Sequence, residues 1–170
     1  GGGRPSGYFT GATGVTIYRG DQWPSEYQGT ALIGDCGSNL IHRKQLRVEG
    51  VRLLAQRFPE DEASEFVASR DHWFRPVQFA NAPDGTLWVA DMSREVIEHP
   101  WSLPQNIKRH LDLNRGNDAG RLYRIRATDN GLRPSWKLSA LSTRELVALL
   151  RHPNGWHRDV YPPFGASIQG

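Results

Sequence analysis

The 170-residue sequence has a single cysteine, Cys36, so it can form no internal disulfide and no CxxC pair for a metal or an attached haem. Cysteine usage therefore does not reveal the redox compartment. There is no apolar run near the ~20 residues of a transmembrane helix, and 38% hydrophobic with 23% charged residues is the make-up of a globular domain. Charge of one sign is also scarce. Lys and Arg number 21 against 18 Asp and Glu, a net +3, too little to build a nucleic-acid footprint. The chain opens with Gly1-Gly2-Gly3-Arg4-Pro5 and has neither an initiating Met nor a charged-then-apolar leader. A short flexible start over residues 1–8 is expected, on a piece of a longer protein.

What is present reads as strands first and a helix last. Gly14–Tyr18, Ala31–Asp35, Asn39–Leu46 and Val51–Phe58 are short, rich in branched and aromatic residues, and divided by Gly, Pro, Asp and Ser. A second set follows at Pro76–Ala80, Thr86–Asp91, Glu95–Glu98 and Arg121–Arg126, with Pro83-Asp84-Gly85 supplying a tight turn. The two sets resemble each other. Gly29–His42 aligns without a gap on Gly85–Glu98 at an offset of 56 residues. The Gly, Thr, Asp and Ile positions are identical, and Leu32/Trp88, Ile33/Val89, Gly34/Ala90 and Leu40/Val96 match in kind.

A repeated four-stranded unit predicts about two antiparallel blades of an incomplete β-propeller over residues 9–128, in preference to a plain sandwich. Two blades close no ring. After Glu98 the second unit carries a long insertion, His99–Ala119, of a size that is often functional or interfacial. From residue 129 the pattern becomes a linker and a short helical segment. Ser142-Thr143-Arg144-Glu145 is a capping box for a helix over Thr143–His152, and its apolar stripe is Leu146, Val147, Leu149 and Leu150. Asn154-Gly155-Trp156 reads as a turn toward a partner helix, but Tyr161-Pro162-Pro163-Phe164-Gly165 is a poor helix former, so no partner is expected.

Several segments, in order, resemble one family. They are Phe9-Thr10, Thr16–Asp21 (TIYRGD), Glu65–Asp71 (EFVASRD), Trp73–Val77 (WFRPV), Pro83-Asp84-Gly85, Glu98-His99-Pro100 and Gly120–Ile125 (GRLYRI). The family is that of the planctomycete-type membrane-bound dehydrogenases, whose propeller is similar to glucose/sorbosone dehydrogenases. The likeness runs from about Phe9 to Arg158. It implies an exported or periplasmic location, and pyrroloquinoline quinone and calcium as cofactors. It also implies a following set of HEAT-like helical repeats, of which Leu138–Arg158 resembles the first helix, and often a c-type cytochrome domain. From Asp159 the chain departs from that pattern, and it contains no CxxCH, so haem c would belong to a domain elsewhere.

Propeller sites form where loops from several blades converge on the central channel. By resemblance, Arg75 in FRPVQFANAPDG is the leading cofactor ligand, since a planar guanidinium suits the carboxylates of the quinone. Capping of backbone carbonyls or a pairing with Asp71 is the plainer role. Asp71 and His72 are candidates for an ion ligand or a base that takes a substrate hydroxyl proton, against a surface turn. Arg94 and Glu95 either reach the channel, Arg94 as a second cofactor ligand, or solvate a hairpin. His99 beside Glu98 is a third catalytic candidate, with loop packing as the alternative. Asp35 and Asp91 occupy equivalent places and point to a shared turn role.

His42 is expected to face solvent. The six histidines lack the local spacing of a transition-metal site, while calcium held by carbonyls stays open. Lys108, Arg109, Arg115, Arg121, Arg124 and Arg126 read as a solvated face, and Trp73, Trp88 and Trp101 as inter-blade core or loop anchors. Two functions follow. One is part of a quinone-dependent sugar or alcohol dehydrogenase, inactive alone, passing electrons to a cytochrome elsewhere. The other is a non-catalytic module binding carbohydrate or protein at the cell surface.

Overall fold

A computed structural model describes residues 8–131, 133 and 137–160. Two antiparallel sheets form its framework. The first contains β1 (Ala12–Ile17), β2 (Ala31–Asp35), β3 (Leu40–Glu49), β4 (Arg52–Gln56) and β5 (Val67–Ala68). The second contains β6 (Pro76–Asn81), β7 (Leu87–Asp91) and, after a single-turn α1 (Gln105–Lys108) within the long insertion, β8 (Arg121–Ile125). Neighbours run β1-β2-β3-β4 with β5 also on β3, and β6-β7-β8.

The strand count therefore differs from four and four. The long β3 divides its partners: residues 40–44 pair with β2, and Gln45–Glu49 form a ribbon with β4. On the other edge of β3, Leu40 and Ile41 pair with Ala68 and Val67 of β5, a two-residue strand too short to stand out in the sequence. In the second sheet Glu95–Glu98 is a loop and not a strand. The carbonyls of Arg94 and Glu95 accept hydrogen bonds from the Arg75 side chain, which turns that backbone away from the ladder. Arg121–Ile125 takes the place beside β7, with Leu87 opposite Ile125 and Asp91 opposite Arg121.

Alternation along each strand sets the packing. Leu32 and Ile41 of the first sheet meet Phe79, Leu87 and Val89 of the second in a core that also takes Tyr18, Trp23 and Phe74. Burying each such side chain contributes about 1.5–3 kcal/mol. The sheets approach closely where β1 and β2 cross β6: Thr13 Oγ1 donates to the Pro76 carbonyl at 2.5 Å, and a Cβ on Gly34 would lie 2.9 Å from that same oxygen. Asn81 locks the far end, donating to the Ile17 carbonyl at 2.9 Å and accepting from the Arg19 N–H at 2.8 Å. The Tyr18 hydroxyl closes the core. It donates to the Gly85 carbonyl at 2.6 Å and accepts from the N–H groups of Gln22 and Trp23, and burial pushes its pKa up to about 12.

The capping box forms at α2 (Thr143–Leu149): Ser142 accepts from the Glu145 N–H and the Glu145 carboxylate accepts from the Ser142 N–H at 2.8 Å. Of the expected stripe only Leu149 is buried. A partner helix does arrive, as the single turn α3 (Gly155–Asp159) capped by Asn154. An Asx cap and a close approach of Gly155 to the Arg19 carbonyl suffice for one turn, without the longer periodic pattern that sequence reading looks for. The Gly-rich start before Tyr8 and the segment from Tyr161 lie outside the described residues. No helix among the described residues is long and apolar enough to cross a membrane.

Candidate functional site

The repeat seen in the sequence is built twice in space. Gly29 and Gly85 both adopt positive φ, +82° and +80°, which L side chains rarely tolerate, and each leads into a buried threonine, Thr30 or Thr86. Each second strand then ends on a buried aspartate that clamps the start of the first strand. Asp35 Oδ1 accepts from the N–H of Gly11 and of Gly37, each at 2.9 Å, and Oδ2 accepts from Thr10. Asp91 Oδ1 accepts from the N–H of Arg75 at 2.7 Å and of Ser93 at 2.8 Å. In return, the N–H of Cys36 and of Met92 donate to the carbonyls of Gly11 and Arg75. The shared turn role expected of Asp35 and Asp91 is therefore what their geometry provides.

Arg75 follows the second clamp and is buried, at 8% exposure. Its guanidinium sits where three carbonyl oxygens converge: Nε donates to Arg94 at 2.9 Å, Nη1 to Cys36 at 2.7 Å and Nη2 to Glu95 at 2.9 Å. Cys36 belongs to the first repeat and the other two to the second, so one cation ties the two sheets together. Three of five N–H groups are committed, leaving two for a carboxylate. The Cys36 thiol beside it is pushed up by burial and by the Asp35 charge, so it is a poor nucleophile.

Asp71 joins this rim through Arg121, whose Nε binds Asp91 at 2.8 Å and whose Nη2 binds Asp71 at 3.0 Å. The Trp73 N–H, then Arg121, hold the Asp71 carboxyl below the usual range, which keeps it ionised and weakens it as a base. Arg94 donates one Nη1 hydrogen bond to the Asn114 carbonyl at 2.9 Å. Arg115 pairs with Glu95 and stacks on Trp73, so that tryptophan does anchor the loop. His72 and His99 are exposed. His72 offers its carbonyl to Asn39, and His99 Nδ1 accepts from the Trp101 N–H, the packing role set against catalysis. Among the candidates, then, Asp71, Arg75 and Arg94 share one rim, while neither histidine makes a side-chain hydrogen bond to them among the described residues. The described residues contain no group of three or more His, Cys, Asp or Glu able to hold a metal ion.

Two expectations are corrected. His42 is buried, with Nδ1 at 2.6 Å from Glu65 and Phe9 edge-on, because Glu65 folds over that face of β3. Trp101 is 91% exposed and so is no core residue, while Trp88 lies half-exposed on the outer face of the second sheet under Arg124. Sequence reading missed Arg43, which forms a buried fork with Asp61 and sits 4.4–5.0 Å from the centroids of Tyr27, Phe58 and Phe66. The only trace in the sequence is an arginine amid a hydrophobic strand followed by an acidic-aromatic stretch.

A family model described as Domain of unknown function (DUF7133) matches residues 2–129. The chain belongs to this family. The DUF7133 match takes in both sheets, both aspartate clamps and the Arg75 cluster, and ends just beyond β8. Neither a curated protein nor a solved structure matches the chain.

Proposed function

We propose that the chain contributes two neighbouring blades of a β-propeller of the quinone-dependent sugar and alcohol dehydrogenase kind, and that it does not oxidise substrate on its own. The observation that supports this is the repeated clamp: two sheets, each pinned from Asp35 or Asp91 to the start of its own first strand, stacked through β1 and β6. The outer face of the second sheet fits the same reading. Trp88 and Ala90 occupy the places of Leu32 and Gly34, whose side packs on a neighbouring sheet, yet Ala80, Trp88 and Leu122 are exposed, as they would be where a next blade belongs.

In such an enzyme pyrroloquinoline quinone with calcium takes the hydride equivalents, and the protein binds, orients and accepts a proton. Here Arg94, with most of its donors free among the described residues, is the better carboxylate ligand, and Arg75 is committed to its three carbonyls. Asp71 and His72 would serve as proton acceptors, and the electron-accepting cytochrome and an exported location belong to the same proposal. A second reading, a non-catalytic module for carbohydrate or protein, is favoured by the commitment of Arg75 and Asp71 to structural bonds.

Titration calorimetry with pyrroloquinoline quinone and calcium chloride separates the two. Saturable binding to the chain, weakened at least tenfold by Arg94→Ala, supports the first. No saturable heat, or equal heats for both proteins, supports the second. In a dye-linked assay with quinone and calcium the expected turnover of the chain is nil.

A further inference from the structure

We propose that the His152–His157 segment is an acid-labile latch holding the C-terminal helical turns against the two sheets. Asn154 and His157 are both fully buried. Asn154 Nδ2 donates to the carbonyls of Ala82 and Pro83 at 2.8 and 3.2 Å, and its Oδ1 caps Trp156 at 2.9 Å. His157 Nε2 lies 3.0 Å from the Pro83 carbonyl, which places its proton on Nε2 and leaves Nδ1 as an unprotonated lone pair. That Nδ1 is buried and has no partner among the described residues. The segment is thus fastened to the β6–β7 turn, and through the Gly155 N–H to the Arg19 carbonyl at 2.7 Å, around an imidazole whose buried Nδ1 has room for a lone pair but no acceptor for a proton.

A proton on Nδ1 would have no acceptor. The charges around it give it little help. The His152 ring stands edge-on at 4.4 Å, with its own Nδ1 accepting from the Asn154 N–H at 3.0 Å. Arg158 lies on the same helix and binds the His152 and Pro153 carbonyls. From the facing loops come Arg19, paired with Asp159, and Asp21, paired with Arg133; Asp84 on the adjoining turn is engaged by Arg124. Among the described residues Asp21 is the carboxylate that favours the charged ring, and one of its oxygens is paired with Arg133. Burial, then His152, hold the His157 imidazole below the usual histidine range. The docked state therefore keeps its full stability above the ordinary histidine pKa of about 6.5. It loses stability as pH falls below that value, because the released segment binds protons the docked one cannot.

Hydrogen exchange followed by mass spectrometry between pH 4.5 and 8, corrected for the intrinsic pH dependence of exchange, tests this. The expected result is that protection of the peptide covering Gly155–Val160 falls by up to about tenfold per pH unit below pH 6.5, while peptides of β2 and β7 keep theirs. His157→Gln, which can still donate to the Pro83 carbonyl and does not titrate, should flatten that dependence, and His152→Gln should reduce it. Protection of the wild-type segment that does not change with pH overturns the proposal, as does an unchanged pH dependence in His157→Gln. Loss of protection in β7 together with the segment would mean global acid unfolding and would equally overturn it.

Discussion

At the scale of single residues, polar side chains buried at sheet corners carry as much of the architecture as the apolar core does. The Tyr18 hydroxyl serves one carbonyl and two N–H groups at once. Tyr18→Phe strands the buried N–H groups of Gln22 and Trp23, and is expected to lower the unfolding free energy by about 1–3 kcal/mol in a urea titration. The same hydroxyl sets an alkaline limit. Its native pKa of about 12 exceeds the ordinary 10.0, so its contribution is complete below pH 10 and is lost as pH rises toward 12. Tyr18→Phe should lack that component when unfolding is followed between pH 9 and 12. The roles of Asp35 and Asp91 were legible because they occupy matching places in a repeat. The burial of His42 was not, because it depends on Glu65, which lies 23 residues away and reaches it only through the fold.

At the scale of elements, the turns explain both what sequence reading captured and what it missed. The Gly85 turn and the Ser142 cap carry local signatures, and both form. Gly29→Ala and Gly85→Ala make an informative pair. Both glycines have positive φ, but nothing lies within 4 Å of a Cβ at Gly29, whereas one at Gly85 collides with Asp21. Gly29→Ala should destabilise by about 1–2 kcal/mol, the left-handed backbone penalty, and Gly85→Ala by clearly more, in parallel thermal melts. Ser142→Ala should cost about 1 kcal/mol, read as faster amide exchange in α2 alone. By contrast, Glu95–Glu98 alternates like a strand and is a loop, since the competitor for its backbone, Arg75, sits 20 residues upstream of Glu95. β5 fell below the length at which a strand can be read.

At the scale of the whole molecule, a five-stranded and a three-stranded sheet meet across β1 and β6, and a buried guanidinium joins the turn of one to the loop of the other. The Cys36 carbonyl of one repeat and the Arg94 and Glu95 carbonyls of the other all turn toward Arg75. The sequence repeat predicts equivalent sheets, and its PDG turn marks where they approach. It does not say that Arg75 faces carbonyls, because no pattern in one strand encodes oxygens supplied by a distant turn and a loop. The most direct measurement is urea unfolding of Arg75→Ala beside a quinone titration of the same variant. The structure predicts a loss of about 2–4 kcal/mol of stability, from three carbonyls left without their donors, while the folded variant binds pyrroloquinoline quinone as the parent chain does. Unchanged stability with quinone binding abolished would contradict it.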